Sequence, residues 1–228
     1  MNAKHKNIVL YEYLSKISYS DGLRIQEEAQ KLVKSSVNGP GGYLYLLEHY
    51  PVITNGRFGS DENYVLPVEQ IEKLGVEVHK SDRGGDLTYH GPGQLISYPI
   101  IDLRAYNIGV KAYINSLEQV LIKVLMEFGI ESYRKEGYPG VWTKGQKIAS
   151  LGVSVKDGIT MHGSALNVNT DLDGFSMIVP CGISDVVVTS MKQTLGTEVD
   201  MQNVVKSFVK CFGEVFNVVI EMKNGPGE

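Results

Sequence analysis

Two rhythms of apolar positions run along the chain, and the places where one gives way to the other mark its elements. Residues 23–33 carry Ile25, Ala29, Leu32 and Val33 at helical spacing, which predicts an amphipathic helix with that stripe inward. The run SVNGPGG breaks it ahead of a strand-like Tyr43–Leu47. Pro67 suits the first turn of a short helix that Gly75 ends, before an alternating strand Val76–Lys80. Ile114, Leu117, Leu121, Val124, Leu125 and Phe128 form the clearest helical stripe, closed by Gly129. From Val141 the period falls to two. Val141–Lys144, a turn at Gly145, Lys147–Val155, a turn at KDG and Ile159–Val168 predict an antiparallel meander. A last stripe, Val204, Phe208, Cys211, Phe212 and Val215, precedes a strand over Asn217–Met222. Mixed helices and strands without an internal repeat place the chain in the α/β (α+β) class.

Composition narrows the function. With 228 residues, 43% apolar and 21% charged, the chain has material for one substantial core. A net charge of −4 and no local Lys/Arg run disfavour nucleic acid as a partner. No apolar run is long enough to cross a bilayer, and the start MNAKHKNIVLYEYLSK lacks the features of a secretory signal, so a cytoplasmic protein without membrane association is expected. Two cysteines without CxxC or Cys/His spacing argue against a disulfide scaffold and a structural metal site.

Three features bear on chemistry. The stretch RGGDLTYHGPG, residues 83–93, combines successive glycines with one arginine and one histidine. Gly84 and Gly85 let a ligand approach bare backbone; Arg83 offers a forked donor, and Thr88 and His90 offer short-range hydrogen bonds. Loop punctuation with a solvated arginine accounts for the same letters equally well. It is neither GxGxxG nor a P-loop, so it licenses no nucleotide claim. Cys211 shares a helical face with Phe208 and Val215 and reads as core. Cys181, in IVPCGI between Pro180 and Gly182, is placed either as a presented nucleophile or as a buried thiol at a strand end. Strand alternation predicts Lys147 on the apolar face of Ala149, Leu151, Val153 and Val155, where an ammonium beside a thiol favours the thiolate; snorkelling at a strand end is the structural alternative.

In order and spacing, RGGDLTYHGPGQLISYPIIDLR, PGVWT, KIASLGVSV, HGSALNV and PCGI resemble the octanoyl-[acyl carrier protein]:protein N-octanoyltransferase, or lipoyl(octanoyl) transferase, family from Tyr19 to about Glu221. The resemblance implies a single catalytic domain over 1–228 with the biotin/lipoate protein ligase-like fold: a mixed β-sheet core, a smaller second sheet and flanking helices. It implies an acyltransferase in which Cys181 carries the acyl group and Lys147 lowers its pKa and manages protons. The substrate pocket it implies is Arg83, Gly84, Gly85, Asp86, Leu87, Thr88, Tyr89 and His90, with Ser150, Leu151, Gly152, Gly163, Ser164 and Ala165 as small or apolar walls. The partners it implies are octanoyl-acyl carrier protein as donor, and the lipoyl domains of 2-oxoacid dehydrogenases and the glycine-cleavage H protein as acceptors. A monomer without metal or organic cofactor is expected. Ser164 departs from the bulky apolar residue such a motif leads one to expect, which bears on chain-length preference. Two alternatives stand beside this reading: an ATP-dependent lipoate/octanoate protein ligase, and an acyl-binding protein without turnover. PCG and RGGDLTYH in place of a ligase-type GGG run weigh against the first, and the pairing of Cys181 with Lys147 weighs against the second.

Overall fold

The computed structural model describes residues 8–36, 39–180 and 186–223, so Cys181 and Gly182 lie outside the described residues. Its strands are β1 (Ile8–Ile17), β2 (Gly42–His49), β3 (Val52–Asn55), β4 (Glu77–Lys80), β5 (Leu87–His90), β6 (Gln94–Ile101), β7 (Tyr133–Lys135), β8 (Tyr138–Thr143), β9 (Gln146–Lys156), β10 (Ile159–Asn167) and β11 (Val219–Met222). Its helices are α1 (Tyr19–Ser35), α2 (Val68–Lys73), α3 (Val110–Glu127), α4 (Met191–Leu195) and α5 (Met201–Phe216). Eight strands form a large sheet in the order β11-β1-β2-β6-β10-β9-β8-β7, and three form a small one, β4-β3-β5. The large sheet is mixed: β1 runs parallel to both β11 and β2, and the ladder from β2 onward is antiparallel.

Strand alternation assigns the two faces of the large sheet. On β2, Leu44 and Leu46 enter the cluster packed with α3 and α5, while Tyr43, Tyr45 and Leu47 enter the cluster that packs with α1. The meander β8-β9-β10 forms as predicted, because its turns carry the residues that two-residue hairpins demand: Lys144-Gly145 at φ 47 and 81°, and Asp157-Gly158 at φ 52 and 81°. Both Pro67 and Gly75 bracket α2, and α3 ends at Gly129, φ 74°. A third cluster, including Ile53, Leu87, Tyr89 and Phe175, lies under the small sheet.

Two expectations are corrected. On α1, Ala29 is buried and Ile25 and Val33 pack partly buried against the same cluster as expected, but Leu32 is 52% exposed, and the most buried positions besides Ala29 are Tyr19, Gly22 and Gln26. A buried glutamine explains the difference, because the Gln26 amide donates to the Gly22 carbonyl and accepts the His162 N–H, so a polar residue holds an inward position. Asn217 is a left-handed helix cap, φ 52°, and the last strand starts at Val219. Among the described residues, no helix is long and apolar enough to cross a membrane.

Candidate active site

A slot opens on the α1 side of the large sheet, between β6, β9 and β10 below and the Arg83–His90 segment above. Its cavity volume is about 50 Å³, so the slot is narrow. Register makes the floor: Ser150 pairs with Ala165, Leu151 with Ser164 and Gly152 with Gly163, while Ser164 also faces Ser97. The glycines of this floor are not open space. A side chain at Gly152 would meet Arg83 Cδ at 2.9 Å and the Gly84 carbonyl at 3.1 Å; at Gly163 it would meet the Ser97 carbonyl at 2.1 Å. They let the upper wall and a neighbouring strand lie directly on β9 and β10.

The upper wall is braced by its own arginine. Arg83 is buried, and its guanidinium donates to Thr54 Oγ1 (3.0 Å from Nε), the Thr54 carbonyl (2.6 Å), the Gly84 carbonyl (3.1 Å) and the Asp86 carbonyl (2.7 Å). The fork that the sequence offered to a ligand thus stitches the loop to β3. Gly84 donates its N–H to the Val153 carbonyl at 2.9 Å, and Gly85 sits at φ 89°. Asp86 accepts from the Leu87 N–H and from the Asn63 amide.

Aromatic and imidazole groups close one end. Tyr19 and Tyr98 line the slot with His90 and His162. The fully buried His49 donates from Nδ1 to the Ile17 carbonyl at 3.1 Å, which leaves Nε2 to accept the Tyr98 hydroxyl at 2.8 Å. Burial pushes the His49 imidazole down to about 4 and that of His90 down to about 3, so both are neutral near pH 7. The Tyr98 phenol is raised by the same desolvation. His162 sits at φ 58° on β10 and meets Asp82 Oδ1 at 2.7 Å; that hydrogen bond holds the Asp82 carboxyl at about 2.

Lys147 is 5% exposed, and its setting corrects the alternation argument. Val141 pairs with Ala149, yet Trp142 pairs with Lys147, so Ile148 is an extra residue in β9. Cross-strand partners share a face, which puts Lys147 on the side of Trp142 and opposite to Ala149. Its ammonium lies 5.8 Å from the Trp142 ring centroid. Counting onward from Ala149, Ser150 also takes the opposite side, so the bulge brings Lys147 to the sheet face that carries the slot. The Lys147 N–H donates to the Val187 carbonyl at 2.8 Å, and its carbonyl accepts the Thr189 N–H at 2.9 Å. Upstream, Val179 donates to the Asn63 carbonyl, and Ile178 bridges Tyr64. The chain is therefore tied on either side of residues 181–185: before them to residues 63–64, after them to Lys147.

Of the residues singled out from the sequence, Arg83, Gly85, Asp86, Leu87, Thr88, His90, Ser150, Leu151, Gly152, Gly163, Ser164 and Ala165 line the slot. Gly84 supports it from behind, and Tyr89 turns into the core beneath the small sheet against Phe175. Lys147 stands outside the lining. Tyr19, Ile96, Tyr98 and His162 line it without having been singled out. His162 opens HGSALNV, and the two-residue step from Ile96 to Tyr98 was a readable signal for both. Cys211 is buried in the core, as its helical face predicted.

Comparison with known proteins fits this arrangement. Residues 18–213 match the lipoyl protein ligase A/B catalytic domain family. The chain is 47% identical over 206 residues to an octanoyltransferase of Caldicellulosiruptor saccharolyticus, covering 90% of this chain and 87% of the relative. It is 41% identical to an octanoyltransferase of Acidobacterium capsulatum, covering 95% and 93%. Its fold is similar to that of a bipartite lipoate protein ligase from Thermoplasma acidophilum, with TM-score 0.73, 18% identity and coverage of 96% of this chain and 86% of that one. A biotin protein ligase from Aquifex aeolicus is similar at TM-score 0.56 and 14% identity, covering 91% and 70%. The large mixed sheet, the small sheet and the flanking helices are thus those of the biotin/lipoate protein ligase fold, and the chain is an acyltransferase belonging to the lipoyl protein ligase A/B catalytic domain family.

Proposed function

We propose that the chain moves an octanoyl group from octanoyl-acyl carrier protein to the target lysine of lipoyl domains, through a thioester on Cys181, as the first step of endogenous protein lipoylation. The acceptors are the lipoyl domains of 2-oxoacid dehydrogenases and the glycine-cleavage H protein. The enzyme acts as a monomeric catalytic unit over 1–228, in the cytoplasm, without a bound cofactor. The high-identity relatives named octanoyltransferase support the acyl group and the reaction class.

The observation that carries the reading is the seat of Lys147. It is buried, turned by the bulge to the slot face, and bonded through its own peptide to Val187 and Thr189, the chain that follows Cys181. An ammonium held beside that segment favours the thiolate by charge attraction. In the first half-reaction the Cys181 thiolate attacks the donor thioester; the new C–S bond forms as the old one breaks, and the carrier's thiol leaves with a proton given by the Lys147 ammonium. In the second, the acceptor's neutral amine attacks the acyl-enzyme, the C–N bond replaces the C–S bond, and Lys147, then neutral, takes the amine proton. Thioester exchange is nearly balanced and amide formation is downhill, so ATP is not required.

The test is to mix the protein with octanoyl-acyl carrier protein, quench in acid, and take intact and peptide masses of wild type and Cys181→Ser. One octanoyl adduct on the Cys181 peptide, discharged by added lipoyl domain and absent from the variant, is expected. No adduct, with turnover only on ATP and free octanoate, would return the chain to the ligase reading.

A further inference from the structure

His90 ends a chain of hydrogen bonds in which every donor and acceptor is fixed. Its Nδ1 lies 2.7 Å from Gln94 Oε1. The Gln94 amide cannot be turned round, because its Nε2 donates to the Tyr89 carbonyl at 3.2 Å, and a carbonyl only accepts. The same Nε2 donates to Asn167 Oδ1 at 2.9 Å. Asn167 is fixed in the same way, since its Nδ2 donates to the Thr189 carbonyl at 2.9 Å. Thr189 in turn donates its N–H to the Lys147 carbonyl at 2.9 Å. Two backbone carbonyls thus orient two buried amides, and the amides leave His90 one arrangement: Nδ1 carries the hydrogen. The ring lines the slot, and its Nε2 makes no hydrogen bond among the described residues.

We propose that Gln94 and Asn167 are positioning residues that hold His90 in the tautomer whose Nε2 accepts a hydrogen bond inside the slot, from the incoming lysine amine of the acceptor protein. The proposal rests on the transfer reading above. A thioester offers no N–H or O–H to such an acceptor, whereas a neutral primary amine offers two hydrogens, one for Nε2 and one for the proton acceptor. Burial makes His90 too weak a base to keep that proton, so it orients the nucleophile while the proton goes to Lys147. The chain Thr189–Asn167–Gln94–His90 starts at the Lys147 carbonyl and so ties the His90 ring to the backbone that carries Lys147, the kind of bracing that orientation of a nucleophile requires.

The experiment has two readouts on the full chain. Imidazole ¹H–¹⁵N correlation spectra of wild type between pH 5.5 and 8 should show His90 neutral and protonated at Nδ1; an Nε2–H tautomer would overturn the assignment. Rapid-quench kinetics with octanoyl-acyl carrier protein and lipoyl domain should show that Gln94→Leu and Asn167→Leu slow discharge of the acyl-enzyme about tenfold more than they slow its loading, the loss of one hydrogen bond in the transition state. Equal slowing of both steps, or of neither, would overturn the proposal. If the leucine variants do not fold, Gln94→Glu keeps the size. Its carboxylate favours the imidazolium, puts a hydrogen on Nε2 and should give the same selective loss, while unchanged discharge would overturn the proposal. Failure of the transfer reading looks different, because wild type would then form no Cys181 adduct at all.

Discussion

The hydroxyl oxygens of Ser97 and Ser164 lie 2.6 Å apart across paired strands, both side chains buried. Ser97 alternates with the slot residues Ile96 and Tyr98, and Ser164 pairs with Leu151 of the helix-side cluster, so the two hydroxyls satisfy each other beneath the floor, on the face of α3 and α5. Ser164→Leu pushes a larger side chain into that packing and leaves the Ser97 hydroxyl unpaired. The variant should lose about 1–3 kcal/mol of stability while turning over hexanoyl, octanoyl and decanoyl carriers in the same proportions as wild type. Thermal unfolding and donor competition check the two, and a shift toward shorter chains would sink the second expectation.

Lys147→Met removes an ammonium whose burial makes sense beside a thiolate. The Cys181 thiol should titrate about one unit higher, and octanoyl transfer should slow. Carbamidomethylation rates by iodoacetamide from pH 6 to 10 report the first effect. Superimposable profiles for wild type and variant would refute it.

His49 and His90 predict acid sensitivity. Both imidazoles are pushed below the ordinary histidine value, to about 4 and about 3, by burial. The unfolded chain therefore binds protons that the folded one refuses. The stability they contribute is complete above pH about 6.5 and is lost as pH falls through the window down to about 3–4. At pH 5 each should cost about 2 kcal/mol relative to pH 7.5. Urea unfolding at the two pH values measures the loss, and His49→Gln should roughly halve it. The Asp82 carboxyl acts only in a lower window, from about 4 to about 2, and weakly because it is largely exposed.

The two floor glycines should differ in cost. Gly163→Ala drives a methyl into the Ser97 carbonyl, a backbone atom of a central strand, whereas Gly152→Ala meets Arg83 and the Gly84 carbonyl of a surface segment. We expect about 3 kcal/mol for the first and about 1–2 kcal/mol for the second. Thermal unfolding of both variants checks the order, and a reversed ranking would mean that the Arg83 segment is the stiffer wall.

Much of this was legible in the sequence for specific physical reasons. The meander could be read because Lys-Gly and Asp-Gly turns separate runs of alternation, and the slot walls because the resemblance carried by RGGDLTYHGPG, KIASLGVSV and HGSALNV implies them. The stripe of α1 was legible only in part, with Leu32 facing solvent and Gln26 inward, because Gln26 is buried by hydrogen bonds, which periodicity does not count. The true occupation of Arg83 was hidden for a related reason: a fork that suits a ligand's oxygen suits the Thr54 and Asp86 carbonyls as well. Gln94 and Asn167 gave no signal, since a buried amide is recognised only by the carbonyls that orient it.

The extra residue at Ile148 is one that β8 does not match. Removing it would leave Lys147 opposite Trp142, now as the immediate neighbour of Ala149 and so still on the other side of the sheet from it. The opposite change is the disruptive one: a residue inserted into β8 between Val141 and Trp142 would pair with Ile148, anneal the bulge, and carry Trp142 and Lys147 together round to the helix side while Ser150–Val155 stay in place. The length of β8, a strand that contributes nothing to the slot lining, therefore decides which compartment the ammonium belongs to.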